Sequence, residues 1–72
     1  MAAVLTNKVE LYNTAEFDLD TPADLSKLPT KTTSGTDELS YVGPVRQGSY
    51  AVIGSTGEVY RLDGDSNTWK KF

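Results

Sequence analysis

The chain contains no cysteine and no histidine, and its seven lysines and arginines are outnumbered by ten aspartates and glutamates. Without cysteine there is no disulfide and no thiolate zinc site. Without histidine the commonest metal ligand and the commonest general base are missing. The net charge of -3 comes with basic residues scattered along the chain. Nucleic-acid binding needs a basic stripe to displace condensed counterions, so that partner class is not expected. The longest apolar run, Ala2-Ala3-Val4-Leu5, is far too short for a membrane span or the apolar stretch of a signal peptide. These absences point to a protein made and kept in a cytoplasm until assembly.

What is present is small. Seventy-two residues allow one domain. A chain of this size buries only about 60% of its unfolded surface, so its core is marginal unless something reinforces it. Disulfides and metals are the usual reinforcements. With neither expected here, a partner surface remains.

Three stretches differ in character. Residues 1–20 scatter Val4, Leu5, Val9, Leu11, Tyr12, Phe17 and Leu19 among polar residues. Lys8-Val9-Glu10-Leu11-Tyr12-Asn13 alternates in part, as a half-buried strand would. A helix over 3–16 would place Leu5, Val9 and Tyr12 on one face and stays open as an alternative. The reading adopted is an extended arm.

Asp20-Thr21-Pro22-Ala23-Asp24-Leu25 reads as a helix start: Thr21 can cap, Pro22 suits the first helical position, and Asp24 faces free N–H groups. Leu28-Pro29 ends the helix, because the residue before proline is driven from the α region. Leu25 and Leu28 point to one side. The polar stretch 30–37 then reads as a flexible connector.

The clearest signals begin at Gly43. Ser49-Tyr50-Ala51-Val52-Ile53, Glu58-Val59-Tyr60-Arg61-Leu62 and Thr68-Trp69-Lys70-Lys71-Phe72 have strand composition. Turn clusters separate them at 54–57 and 63–67. This pattern predicts three antiparallel strands on tight loops. Tyr50 and Val52 share one face, as do Tyr60 and Leu62, and Trp69 is expected to pack across that surface and be largely buried.

The constellations that resemble chemical sites fall short. Asp63-Gly64-Asp65-Ser66-Asn67 opens like a calcium loop, but Thr68 stands where that loop needs glycine and no twelfth-position glutamate follows. Gly54-Ser55-Thr56-Gly57 lacks the helix or lysine of a phosphate cradle. The pairs among Asp18, Asp20 and Asp24, and Asp37 with Glu38, lie in a cap and a polar loop rather than a desolvated cleft. Ser49 and the threonines have no histidine to activate them. No catalytic, cofactor or metal residues are expected, and the chain is read as not an enzyme. The tyrosines and Trp69, beside Arg61, Lys70 and Lys71, could stack a ligand. Core packing, with the lysine pair guarding an edge strand, explains them better in an acidic chain.

Gly48-Ser49-Tyr50, Thr56-Gly57-Glu58-Val59-Tyr60-Arg61-Leu62-Asp63-Gly64 and Asn67-Thr68-Trp69 resemble the short glycine–tyrosine–tryptophan β-meander modules of tailed-phage virion proteins, such as head and tail fibres and small accessory proteins. The resemblance covers 48–72, about a third of the chain. The segment Asp24-Leu25-Ser26-Lys27-Leu28-Pro29 also resembles parts of small phage structural proteins. The usual long repetitive fibre shaft is absent from this chain. The resemblance implies a structural part of a virion, often oligomeric, with no catalytic residues.

The sequence therefore predicts a mainly β fold: a three-stranded antiparallel meander at 43–72, a short helix and polar connector at 21–42, and an N-terminal docking arm at 1–20. The expected function is a non-enzymatic virion component (capsid decoration, head fibre or tail part). It would assemble with itself, for which a trimer would fit, or dock on a capsid or tail protein. Val4, Leu5, Val9, Leu11, Tyr12 and Phe17 are the candidate partner-binding residues. The alternative is a small module that grips carbohydrate or peptide with Tyr50, Tyr60 and Trp69. A small sheet with one short helix cannot cover both its faces, so an uncovered face is expected to meet another chain.

Overall fold

The computed structural model describes residues 3–72; Ala2, the start of the apolar run, lies outside them. The fold is mainly β. Five strands, β1 (Ala3–Val9), β2 (Thr14–Leu19), β3 (Tyr50–Ile53), β4 (Val59–Asp63) and β5 (Thr68–Lys71), form one sheet in chain order. The C-terminal strands pair antiparallel as expected, with Tyr50 opposite Arg61 and Leu62 opposite Trp69. Their turns follow local chemistry. Gly57 (φ 75°) and Asn67 (φ 58°) take left-handed backbone, which glycine and asparagine tolerate best. Asp63 accepts hydrogen bonds from the Asp65 N–H and the Ser66 hydroxyl, so this carboxylate organises its own turn.

The N-terminal arm is corrected. Residues 3–19 form a hairpin that extends the sheet: β1 pairs antiparallel with β2, and β2 lies parallel to β3. The physical reason is a run of Ala15, Phe17 and Leu19 alternating with Glu16 and Asp18, which puts three apolar side chains in the core. The partial alternation at 8–13 ends at Val9, because Asn13 (φ 55°) closes a turn with its N–H donating to the Glu10 carbonyl. An extra residue between Leu5 and Asn7 breaks the β1 register, a bulge on an edge strand that discourages further pairing. Lys70 and Lys71 stand exposed on β5, the other edge.

A parallel pair requires a crossover, and residues 20–49 provide it without an α-helix. The expected helix start becomes a 3₁₀ segment, Pro22–Lys27, and a second one spans Asp37–Leu39. The Asp24 carboxylate accepts from the Asp20 and Thr21 N–H groups at 3.2 Å and closes the first turn. Leu28 leaves the helical region at φ -73°, ψ 145°, as its following proline requires. The connector at 30–37 is tied in place rather than loose. The Thr36 N–H donates to the Lys27 carbonyl at 2.9 Å, and the Gly35 N–H donates to Val42 at 3.0 Å. Gly35 is required here, since a Cβ would strike the Leu39 carbonyl. Leu28, Leu39, Val42 and Val45 from the crossover close over Phe17, Leu19, Ala51, Ile53 and Leu62 from the sheet.

Lys27 links the crossover to the first edge strand. Its ammonium lies 2.9 Å from Asp24 and 3.0 Å from Glu38, and Glu38 accepts the Ala3 N–H at 3.2 Å. The Lys27 hydrogen bond, foremost, holds the Asp24 carboxyl below the usual carboxylate range, and Asp24 in turn raises Lys27. Glu38 is lowered by its own backbone N–H and then by Lys27.

Candidate assembly surfaces

Among the described residues, large apolar side chains remain on the outside in two places. The first is the tip of the β1–β2 hairpin. Leu11 is 83% exposed and Tyr12 59%, with Val9 beside them at the strand end. Asn13 holds this tip rigidly: its side-chain amide donates to the Pro44 carbonyl at 3.1 Å, and its own carbonyl accepts the Arg46 N–H at 3.1 Å. Its side-chain oxygen also accepts from Lys8 at 2.9 Å. Nearby, Leu5, Lys8, Glu10 and exposed Tyr41 line a shallow groove of about 380 Å³. The turn thus holds an apolar pair out in solvent.

The second place is the sheet face that the crossover leaves open. Strand alternation sends Val4, Glu16, Asp18, Tyr50, Val52 and Arg61 to this side, all exposed. Phe72, 75% exposed, follows β5 and reaches over β4 towards β3. Its N–H donates to the Val59 carbonyl at 2.8 Å, and its ring meets Tyr50 edge-on at 6.1 Å. The Arg61 guanidinium sits 5.5 Å from the same ring centroid, a cation–π contact.

The six residues expected at a partner surface therefore divide. Leu11, Tyr12, Val9 and Val4 are exposed, whereas Leu5 is half-buried against the core and Phe17 lies fully inside it. Phe17 is a correction with a clear cause: it alternates with Glu16 and Asp18, which take the outer face. Tyr41 and Phe72 are surface apolar residues that the sequence reading did not single out. Tyr41 had no periodic context to mark it, but Phe72 follows Lys70 by two positions, and that spacing places it on the open face.

Tyr50, Tyr60 and Trp69 are not brought together. Tyr50 is on the open face, while Tyr60 and Trp69 are half-buried on the covered one. The same alternation separates Val52 from Leu62, so Tyr50 and Val52 do not share a surface with Trp69. Trp69 meets Phe17 edge-on at 6.0 Å, and its indole N–H donates to the Pro29 carbonyl at 2.8 Å. It also forms one wall of a groove of about 580 Å³ with Thr30, Thr33, Thr36 and Asn67.

Ser49 and Asp63, two of the polar residues weighed for chemistry, have structural partners. The buried Ser49 hydroxyl donates to the Arg46 carbonyl at 2.9 Å and accepts the Ala15 N–H at 3.1 Å, which joins β2 to the start of β3. Asp63 is lowered by Ser66 first and by Lys70 next, whose ammonium is 3.3 Å away. Among the described residues no three His, Cys, Asp or Glu side chains converge as a metal site, and no helix is long and apolar enough to cross a membrane. Comparison with protein-family models, with curated proteins and with solved structures found no match to this chain.

Proposed function

We propose that this chain is a non-enzymatic assembly protein, a virion accessory component of the tailed-phage kind that docks on a larger capsid or tail protein. The observation that carries the reading is the hairpin tip, where Leu11 and Tyr12 project from a turn pinned to the crossover by Asn13. A solvent-facing leucine–tyrosine pair adds nothing to the core, and a rigid tip loses little conformational freedom on binding. The likeness of 48–72 to phage meander modules supplies the virion setting, with synthesis in the host cytoplasm. Mass spectrometry of particles purified from the encoding phage tests it. The chain is expected in wild-type particles and lost from them, while still folded in the cell extract, in a Leu11→Ser/Tyr12→Ser variant. Absence of the wild-type chain from particles would overturn the reading.

A second reading, a small carbohydrate-binding module, is favoured by the groove beside Trp69. Its lining sets an aromatic side chain beside Thr30, Thr33 and Thr36, with the Thr30 and Thr33 hydroxyls hydrogen-bonded to each other at 2.7 Å. Tryptophan emission followed through a titration with oligosaccharides tests this reading. A saturable shift abolished in Thr33→Val would support it, and an unchanged spectrum would remove it.

A further inference from the structure

We infer that the open sheet face pairs with the same face of a second copy, about a two-fold axis that runs along β3. This deepens the assembly reading, rests on it for context, and replaces a trimer with a dimer. It uses a surface separate from the hairpin tip, so either can fail alone.

Cross-strand registers line the open-face side chains up in rows. One row across the open face reads Val4, Asp18, Val52, Val59, and Phe72 continues it through its bond to Val59. The neighbouring row reads Glu16, Tyr50, Arg61, Lys70. Asp63 shares this side of β4 with Arg61 but is paired with Lys70 at 3.3 Å, so the acidic residues without an ion pair stand on β2 and the arginine on β4, with β3 midway. Among the described residues no ion pair joins Glu16, Asp18 or Arg61 to another side chain of the chain.

A two-fold along β3 exchanges β2 with β4 and β1 with β5. Glu16 then faces Arg61 of the second copy, and the same contact recurs on the other side of the axis. Tyr50 and Val52 meet their own counterparts at the centre, and Val4 meets Phe72. Asp18 lies one pleat, about 7 Å, along its strand from Glu16 and strengthens the acidic side. The other face-to-face two-fold, across the strands, would stack Glu16 on Asp18 and Lys70 on Phe72. Like charges in contact disfavour it. The charge pattern therefore selects both the occupant and the axis, as an isologous interface requires.

Five strands about 4.8 Å apart give a face on the order of 500 Å² per copy. The total, about 1,000 Å², is at the lower limit for a specific interface, so the dimer is expected to be weak and concentration-dependent.

Sedimentation equilibrium on the isolated full chain, from micromolar to millimolar concentration, tests the inference. The wild type should pass from monomer to dimer across that range. Glu16→Arg and Arg61→Glu should each stay monomeric throughout, and the double variant Glu16→Arg/Arg61→Glu should recover the dimer. Circular dichroism checks that each variant keeps the wild-type spectrum, and the exposed positions make that the expected result. A wild type that is monomeric at every concentration, a trimer, single variants that still dimerise, or a folded double variant without recovery would each overturn it.

Discussion

The two faces of this sheet are made by the same strands and differ in almost every respect. On the covered face Ala15, Phe17, Leu19, Ala51, Ile53 and Leu62 meet the crossover and lose nearly all contact with solvent. On the open face their sequence neighbours Glu16, Asp18, Tyr50, Val52 and Arg61 remain exposed, with both signs of charge around an apolar centre. The covered face holds the fold together through burial, which scales with apolar area. The open face contributes little to the isolated chain and carries the pattern a partner could read. Among the described residues one crossover packs on the sheet, and it covers one face.

The largest expected effect is on the covered side. Phe17→Ala removes a fully buried ring that packs on Trp69 and should cost about 3–5 kcal/mol. In a domain this small that lowers Tm by more than about 12 °C, as a thermal melt would read. A loss as small as that of an open-face variant would break the distinction between the faces.

The acid limb of stability comes next. Asp24 and Glu38 have folded values below their ordinary ones. Their contribution is therefore present above the ordinary carboxylate range and is lost as pH falls through the depressed folded values. Lys27 has the opposite sign: raised by Asp24, it contributes below its ordinary value and loses that contribution as pH climbs through the raised one. Asp24→Asn should flatten the acid side of a plot of denaturation midpoint against pH. An unchanged slope there would mean that the ion pairs do not couple the crossover to the sheet.

Smaller still is Trp69→Phe. It keeps an aromatic ring but removes the donor to the Pro29 carbonyl, at about 1 kcal/mol by urea denaturation. Val52→Ala on the open face should change the stability of the dilute chain by no more than about 0.5 kcal/mol. A larger cost would show that the open face also supports the monomer.

The C-terminal meander was legible because its strands are separated by turn residues that act locally, Gly57 and Asn67 among them. The start and stop of the first 3₁₀ segment were legible for the same reason, through Pro22, Asp24 and the Leu28-Pro29 step. The parallel pairing of β2 with β3 was not. It joins segments separated by the crossover, and no local residue encodes such a partner. The alternation of Ala15, Phe17 and Leu19 was a usable signal, obscured by the mixed composition around it. Leu39, Val42 and Val45 stand singly among polar residues, so their burial emerges only when the crossover folds back. At the surface, Leu11 and Tyr12 are legible as candidates, but the row that sets Glu16 and Arg61 on either side of Tyr50 needs the register.

Hydroxyl-radical footprinting of the isolated chain at low and high protein concentration tests most directly the claim that one face builds the fold and the other meets a partner. Tyr50 and Phe72 should lose reactivity on concentration, while half-buried Tyr60 and Trp69 keep the same low reactivity throughout. Equal reactivity of Tyr50 and Phe72 at both concentrations, or protection that appears at Tyr60 and Trp69 instead, would contradict it.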